Sequence, residues 1–261
     1  MTTDRWTWAV RQQLGRGRLL PLGGPHDGAW ITEAAAVAVL RRAVRRMPEV
    51  RLGSVRLALV DPGDVSEPAV PPPPSALPPG PLRITAEFTA TPAEPLPTTA
   101  SRLRAVLASA ATDRLGLGVT EVDLRVTGLL EEGTASVDPP CTDADTDVGV
   151  DTEADTEADV DTGALRPDGS SPAPGTDESR VAAAVLSVPG VTALSRPAHI
   201  EEHPGDAALP RRHVRVEIEV GPAVRALDTA RAVRAAVTEG CPGRPTTAVL
   251  VTAVPPAAPA P

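Results

Sequence analysis

The apolar positions switch between a helical and a strand period several times along the chain. Trp30 and Ile31 form a short apolar stretch that ends at Thr32, an N-cap residue, and Glu33 follows where a helix dipole favours an acid. Val37, Leu40, Val44 and Met47 then recur at helical spacing, with Arg41, Arg42, Arg45 and Arg46 on the other side and Pro48 as the stop. Val55, Leu57 and Leu59 alternate with Ser54, Arg56 and Ala58, which predicts a half-buried strand. After a Pro-rich loop at 61–81, Leu82, Ile84, Ala86 and Phe88 alternate again. A second helix, starting at Thr98 or Thr99, carries Leu103, Val106, Leu107 and Ala110 and ends at Gly116; Val122, Leu124 and Val126 close the run as a strand. The predicted order is β-α-β-β-α-β over residues 28–130.

The same order returns over 178–254 without a clear first strand, which points to a divergent internal duplication. Val181, Val185 and Val188 mark a helix stopped by Pro189, and Val191 to Leu194 a short strand. An irregular, proline-bounded loop follows, and then Val214, Val216, Ile218 and Val220 alternate. Gly221 and Pro222 suit a helix start. Ala226, Ala230, Val233 and Val237 give that helix its apolar face, Gly240 ends it, and Thr246 to Val254 forms the closing strand. The expected fold class is α+β, two small modules with helices on one face of each sheet. Residues 1–27 are an N-terminal helix or arm, with Trp6, Val10 and Leu14 on one stripe, and 255–261 a tail.

Composition refines this picture. The chain is 41% hydrophobic but only 2% aromatic, so its core must be built from Val, Leu, Ile and Ala. From Glu131 to Glu178 there are 15 acidic residues and the single Arg166, of 34 acidic and 25 basic in all; what remains carries a net charge of about +5. Residues 131–177 are therefore expected to be an acidic, disordered linker that lets two modules engage a target together. Asp143, Asp145 and Asp147 have the spacing of a calcium loop, but Val148 and Ala154 stand where its Gly and Glu belong.

Other strings suggest chemistry and lack its context. His199, Glu202 and His203 match H-x-x-E-H, yet Pro197 and Pro204 bracket them, so an exposed loop is expected instead of a zinc helix. GCPG at 240–243 leads from a helix into a strand, unlike the nucleic-acid-clamping loop it superficially matches. Pro71 to Pro74 is read as a stiff connection. Cys141 and Cys241 lie in unlike contexts, and neither is expected to be a nucleophile. No catalytic, cofactor or metal residue is assigned, and the expectation is a protein that is not an enzyme. The candidate interaction residues are Arg41, Arg42, Arg45, Arg46, Trp6 and Trp8. The arginines suit phosphates or an anionic surface, but with one Phe, placed inward, there is no aromatic platform for stacking bases. No apolar run is long enough to span a bilayer, and Asp4 interrupts the opening where a leader would turn apolar.

The segments GAWITEAAAVAVLRRAVRRMPEVRLGSVRLAL and TTASRLRAVLASAATDRLGLGVTEVDLRVTGL, with AAAVLSVPGVTAL and HVRVEIEV in the second half, resemble the alkaline-shock family of bacterial envelope stress proteins. That family's helix ends in V-P-G-V, kept here as Val188 to Val191, whereas Glu49 replaces the Gly in the first half. An excess of Arg, Ala, Pro and Val looks actinobacterial. Tandem chains of that appearance sometimes carry the label of a nucleopolyhedrovirus small-protein family, which is a name and not a viral function. The resemblance implies a non-enzymatic cytoplasmic protein that self-associates and docks peripherally at the inner face of the membrane through a membrane-protein partner. A nucleic-acid-binding module using the Arg face is the alternative.

Overall fold

In the computed structural model, residues 17–130, 176–203 and 211–256 are described. The first half runs β1 (Leu19–Leu22), β2 (Ala29–Thr32), α1 (Glu33–Val44), β3 (Val50–Leu59), β4 (Leu82–Ala90), α2 (Leu96–Ser109) and β5 (Val119–Leu129). A π-helical turn, Ala110–Leu115, extends α2 to Gly116. The second half runs α3 (Asp177–Leu186), β6 (Val191–Leu194), β7 (His199–His203), β8 (Arg211–Val220), α4 (Ala226–Gly240) and β9 (Thr246–Ala253). The fold is α+β, as the alternating periods predict. Trp6, Trp8, the acidic stretch 131–175 and the last tail residues lie outside the described residues.

The halves repeat one path. β3 is antiparallel to β4 and β4 parallel to β5, with α2 as the crossover. Likewise β6 and β7 are antiparallel to β8, and β8 is parallel to β9, with α4 as the crossover. β6 and β7 together match β3, which is itself irregular between Leu52 and Val55. The expected loop at HIEEH is therefore a strand. Its signal was weak because His and Glu are poor strand formers, and Ile200, opposite Val214, supplies the only apolar residue in the string.

Two separate modules are not what forms. β2, predicted as the first strand of the first module, pairs in parallel with β9 of the second, Trp30 opposite Leu250. The larger sheet has the order β1-β2-β9-β8-β6, with β7 also on β8, and the smaller is β3-β4-β5. The missing first strand of the second half is thus supplied by the first half. β1 was expected to belong to an N-terminal arm, but Leu19, Leu20 and Leu22 are buried and pair antiparallel to β2. Pro21 breaks the strand signal there; a proline is tolerated at such an edge.

One apolar core spans both halves: Leu40, Phe88 and Leu107 belong to the same cluster as Val185, Ile218 and Val233. Helix α1 reaches both sheets, touching β2 and β9 on one side and β3 on the other. The opposite face of the larger sheet is closed by the Pro-rich loop, where Val70 packs with Leu19, Trp30, Ala248 and Leu250. Leu77 O accepts a hydrogen bond from the Trp30 indole at 3.3 Å. The loop also covers the edge of β1, through Leu19 N–H to Ser75 O and Leu77 N–H to Leu19 O.

Helix ends follow local chemistry. Thr32 Oγ1 accepts from Ala35 N–H at the start of α1, and Thr176 caps α3 in the same way. Helix α4 starts at Ala226, with Arg225 as the cap, later than Gly221 and Pro222 suggested. In V-P-G-V, Gly190 has φ of 95°, and a Cβ there would come within 2.8 Å of Val224. Where Glu49 takes its place in the first half, the carboxylate instead meets Arg102 at 2.8 Å.

Candidate interaction surfaces

The four arginines at the C-terminal end of α1 differ in what they touch: Arg41 and Arg42 lie in its last turn, Arg45 is its C-cap and Arg46 follows. Successive residues on a helix turn about 100°, so Arg41 and Arg42 cannot share a direction. Arg41 donates to Leu52 O at 3.3 Å and Gly53 O at 2.7 Å, capping the outer edge of β3. Arg42 donates to Val254 O at 2.9 Å and Pro255 O at 3.4 Å, holding the end of β9 against α1. Arg45 and Arg46 are exposed at the end of the helix, with no side-chain partner among the described residues. Of the four arginines, Arg45 and Arg46 are thus the two not engaged with backbone carbonyls among the described residues.

In β7, alternate residues face opposite sides, which separates His199 from Glu202. His199 Nε2 lies 2.9 Å from Glu201 Oε1, and Arg215 donates to the same oxygen at 3.1 Å. His213, buried on β8, meets Thr246 Oγ1 at 3.0 Å. Among the described residues, no group of three or more His, Cys, Asp or Glu could hold a metal ion.

Two ion-pair clusters were not anticipated. Arg231 on α4 binds both oxygens of Asp27, at 2.8 and 3.0 Å, and Gly24 N–H donates to Asp27 Oδ2 at 2.7 Å. Arg234 donates to the carbonyls of His26 and Asp27 at 2.6 and 2.5 Å. Partial burial pushes the Asp27 carboxyl upward. The bonds from Arg231 and Gly24, with the charges of Arg231 and Arg234, outweigh this and hold it below its usual range. Burial lowers Arg234. Arg212 bridges Asp177 at 2.5 Å beside Cys241, whose thiol is pushed up by burial first and the Asp177 charge second. Local sequence carries no sign of such pairs, because partners such as Asp27 and Arg231 are 204 residues apart.

The smaller sheet has helices on one face and water on the other. Its wet face carries Arg83 between Glu121 at 2.6 Å and Asp123 at 3.4 Å, with Arg125 at 3.8 Å from Glu87. Its two edges differ. On β3, Arg41 is joined by Arg18, which donates to Leu57 O at 3.0 Å, and by Glu33, which accepts from Leu57 N–H at 3.0 Å. On β5, the outer edge has no strand partner among the described residues. Val126, expected inward, is 40% exposed, and Leu129 is 60% exposed, because the sheet ends beside them.

No helix among the described residues is long and apolar enough to cross a membrane. No protein-family model and no curated protein matches the chain.

Proposed function

We propose that the chain is a non-enzymatic cytoplasmic scaffold of the alkaline-shock kind, docking peripherally on a membrane-associated partner. The observation that carries this reading is the repeated path of the two halves. Each sets an antiparallel and then a parallel strand pair around a crossover helix, the β-β-α-β part of the order that the sequence resemblance implies. The halves share a sheet and a core, so the scaffold presents them as one body. Leu130 and Thr176, the described residues on either side of 131–175, belong to the same unit. Both halves therefore fall in one unit, so avidity between separate modules is not part of the proposal. Arg45 and Arg46 are the contact residues proposed for an acidic partner surface.

The test is a tagged full-length chain recovered from gently solubilised native membranes, beside the variant Arg45→Glu/Arg46→Glu. The expected result is an integral membrane protein enriched by the first and lost with the second. That protein, purified into lipid nanodiscs, should then bind the purified chain directly. Recovery of ribonucleoprotein alone, removed by nuclease and steeply salt-dependent, would overturn the scaffold reading in favour of nucleic-acid binding.

A further inference from the structure

The outer edge of β5 invites a strand, and the chain itself points to which one. In the second half the matching strand, β9, has its outer edge filled by β2. β5 occupies the corresponding place beside β4, and its outer edge is open among the described residues. The residues that would supply a matching strand ahead of α3 read SPAPGT over 171–176, where Pro172 and Pro174 have no N–H to give.

The other sheet edges are blunted. That of β3 is capped by Arg18, Glu33 and Arg41, and that of β1 is covered by Ser75 and Leu77. β6 and β7 are only 4 and 5 residues long, too short to template much pairing. β5 is 11 residues long. Its outer carbonyls are guarded by one side chain among the described residues, the exposed Arg104, which donates to Val122 O at 3.1 Å and can swing aside.

We propose that two copies of this chain join through β5, antiparallel, about a two-fold axis at Leu124. An axis perpendicular to the sheet keeps both helix layers on the same side, so it must pass a single residue position. Centring it on Asp123 would set Asp123 against its own copy, and centring it on Arg125 would set Arg125 against its own copy. Centring it on Leu124 sets Asp123 against Arg125 twice, on the wet face where both already lie. The same register puts Val122 against Val126 and Leu124 against Leu124 on the helix-covered face, hiding the exposed Val126. The ladder is regular from Glu121 to Val126, between the two irregularities of the β4–β5 register. This dimer does not depend on the membrane-docking reading.

Sedimentation velocity of the full chain from low to high micromolar concentration tests it. The wild type should pass from monomer to dimer. Asp123→Arg gives two arginines per edge and Arg125→Asp two aspartates, so each variant alone should stay monomeric while keeping its cooperative melt. Mixed in equal amounts, the two variants should recover the dimer, because each edge then meets its complement. As a second reading, Leu124→Cys with Cys141 and Cys241 changed to Ser should form a disulfide-linked dimer on mild oxidation, since opposed strand residues fall within disulfide reach. A wild type that stays monomeric overturns the proposal. So do charge variants that dimerise as the wild type does, a mixture that stays monomeric, or a Leu124→Cys chain that does not cross-link.

Discussion

Arg231 grips Asp27 with two parallel hydrogen bonds, Nε to Oδ1 at 2.8 Å and Nη2 to Oδ2 at 3.0 Å, so a helix near the end of the chain holds a turn near its beginning. Asp27 is 17% exposed and Arg231 51% exposed, which keeps the pair near the upper end of what solvent-screened ion pairs contribute. Asp27→Asn should therefore cost about 1 kcal/mol at neutral pH. Because the folded carboxyl titrates below its usual range, its contribution is present above the unfolded value near 3.9 and fades as pH falls through the folded value. Urea midpoints of wild type and variant should differ at neutral pH and converge on acidification. A difference that persists undiminished at low pH would show that the charge is not the cause.

Gly116 lies at a second point where the halves pack closely. It ends the π-helical turn with φ of 89°, and its carbonyl accepts from Gly23 N–H at 2.9 Å. A Cβ built there would overlap the Leu227 side chain on α4. Gly116→Ala should cost about 2 to 4 kcal/mol, combining the left-handed backbone with forced repacking. The companion variant Gly118→Ala, where a Cβ meets nothing within 4 Å, should change the melting temperature far less. Thermal unfolding followed by circular dichroism compares the two directly.

The thiol of Cys241 should be slow to alkylate. Burial and the Asp177 carboxylate both raise its pKa, against a smaller opposing effect of Arg212 and Arg180. In a Cys141→Ser chain, iodoacetamide should modify Cys241 more slowly than a free cysteine peptide at pH 8. The rate should keep rising above the pH at which the peptide's rate has levelled. Asp177→Asn removes the charge that raises it, so the modification rate at pH 8 should increase in that variant.

Periodicity made most single elements legible. The Leu82 to Phe88 alternation gave β4 its buried face, and Val233 and Val237 gave α4 its apolar stripe. What it could not specify is which strand lies beside which. The Trp30–Ile31 strand reads identically whether it pairs with the closing strand of its own half or with that of the other. The choice is made by contacts far apart in sequence, such as Thr32 Oγ1 donating to Thr252 O at 3.1 Å. The Arg face shows the same limit. Helical spacing separates Arg41 to Arg46 from the apolar stripe, but only the neighbouring strand β3 and the end of β9 decide that Arg41 and Arg42 bind backbone carbonyls while Arg45 and Arg46 do not.

The shared sheet makes a prediction that separates one folded unit from two. Trp30 is 1% exposed, stands opposite Leu250 and packs with Val70 and Ala248, so most of its cover comes from β9 and the Pro-rich loop. With Trp6 and Trp8 changed to Phe, Trp30 is the only tryptophan left in the chain. Its emission should be blue-shifted in the full chain. Removal of residues 178–261 takes away β9, leaving β2 without its parallel neighbour and the core without Val185, Ile218 and Val233. The emission should then move toward that of exposed indole, and the cooperative melt should be lost. Adding residues 178–261 as a separate chain should restore both, because the lost contacts are noncovalent. A truncated chain that keeps a blue-shifted Trp30 and a sharp melt would mean that the first half completes its own sheet, returning the architecture to two independent modules.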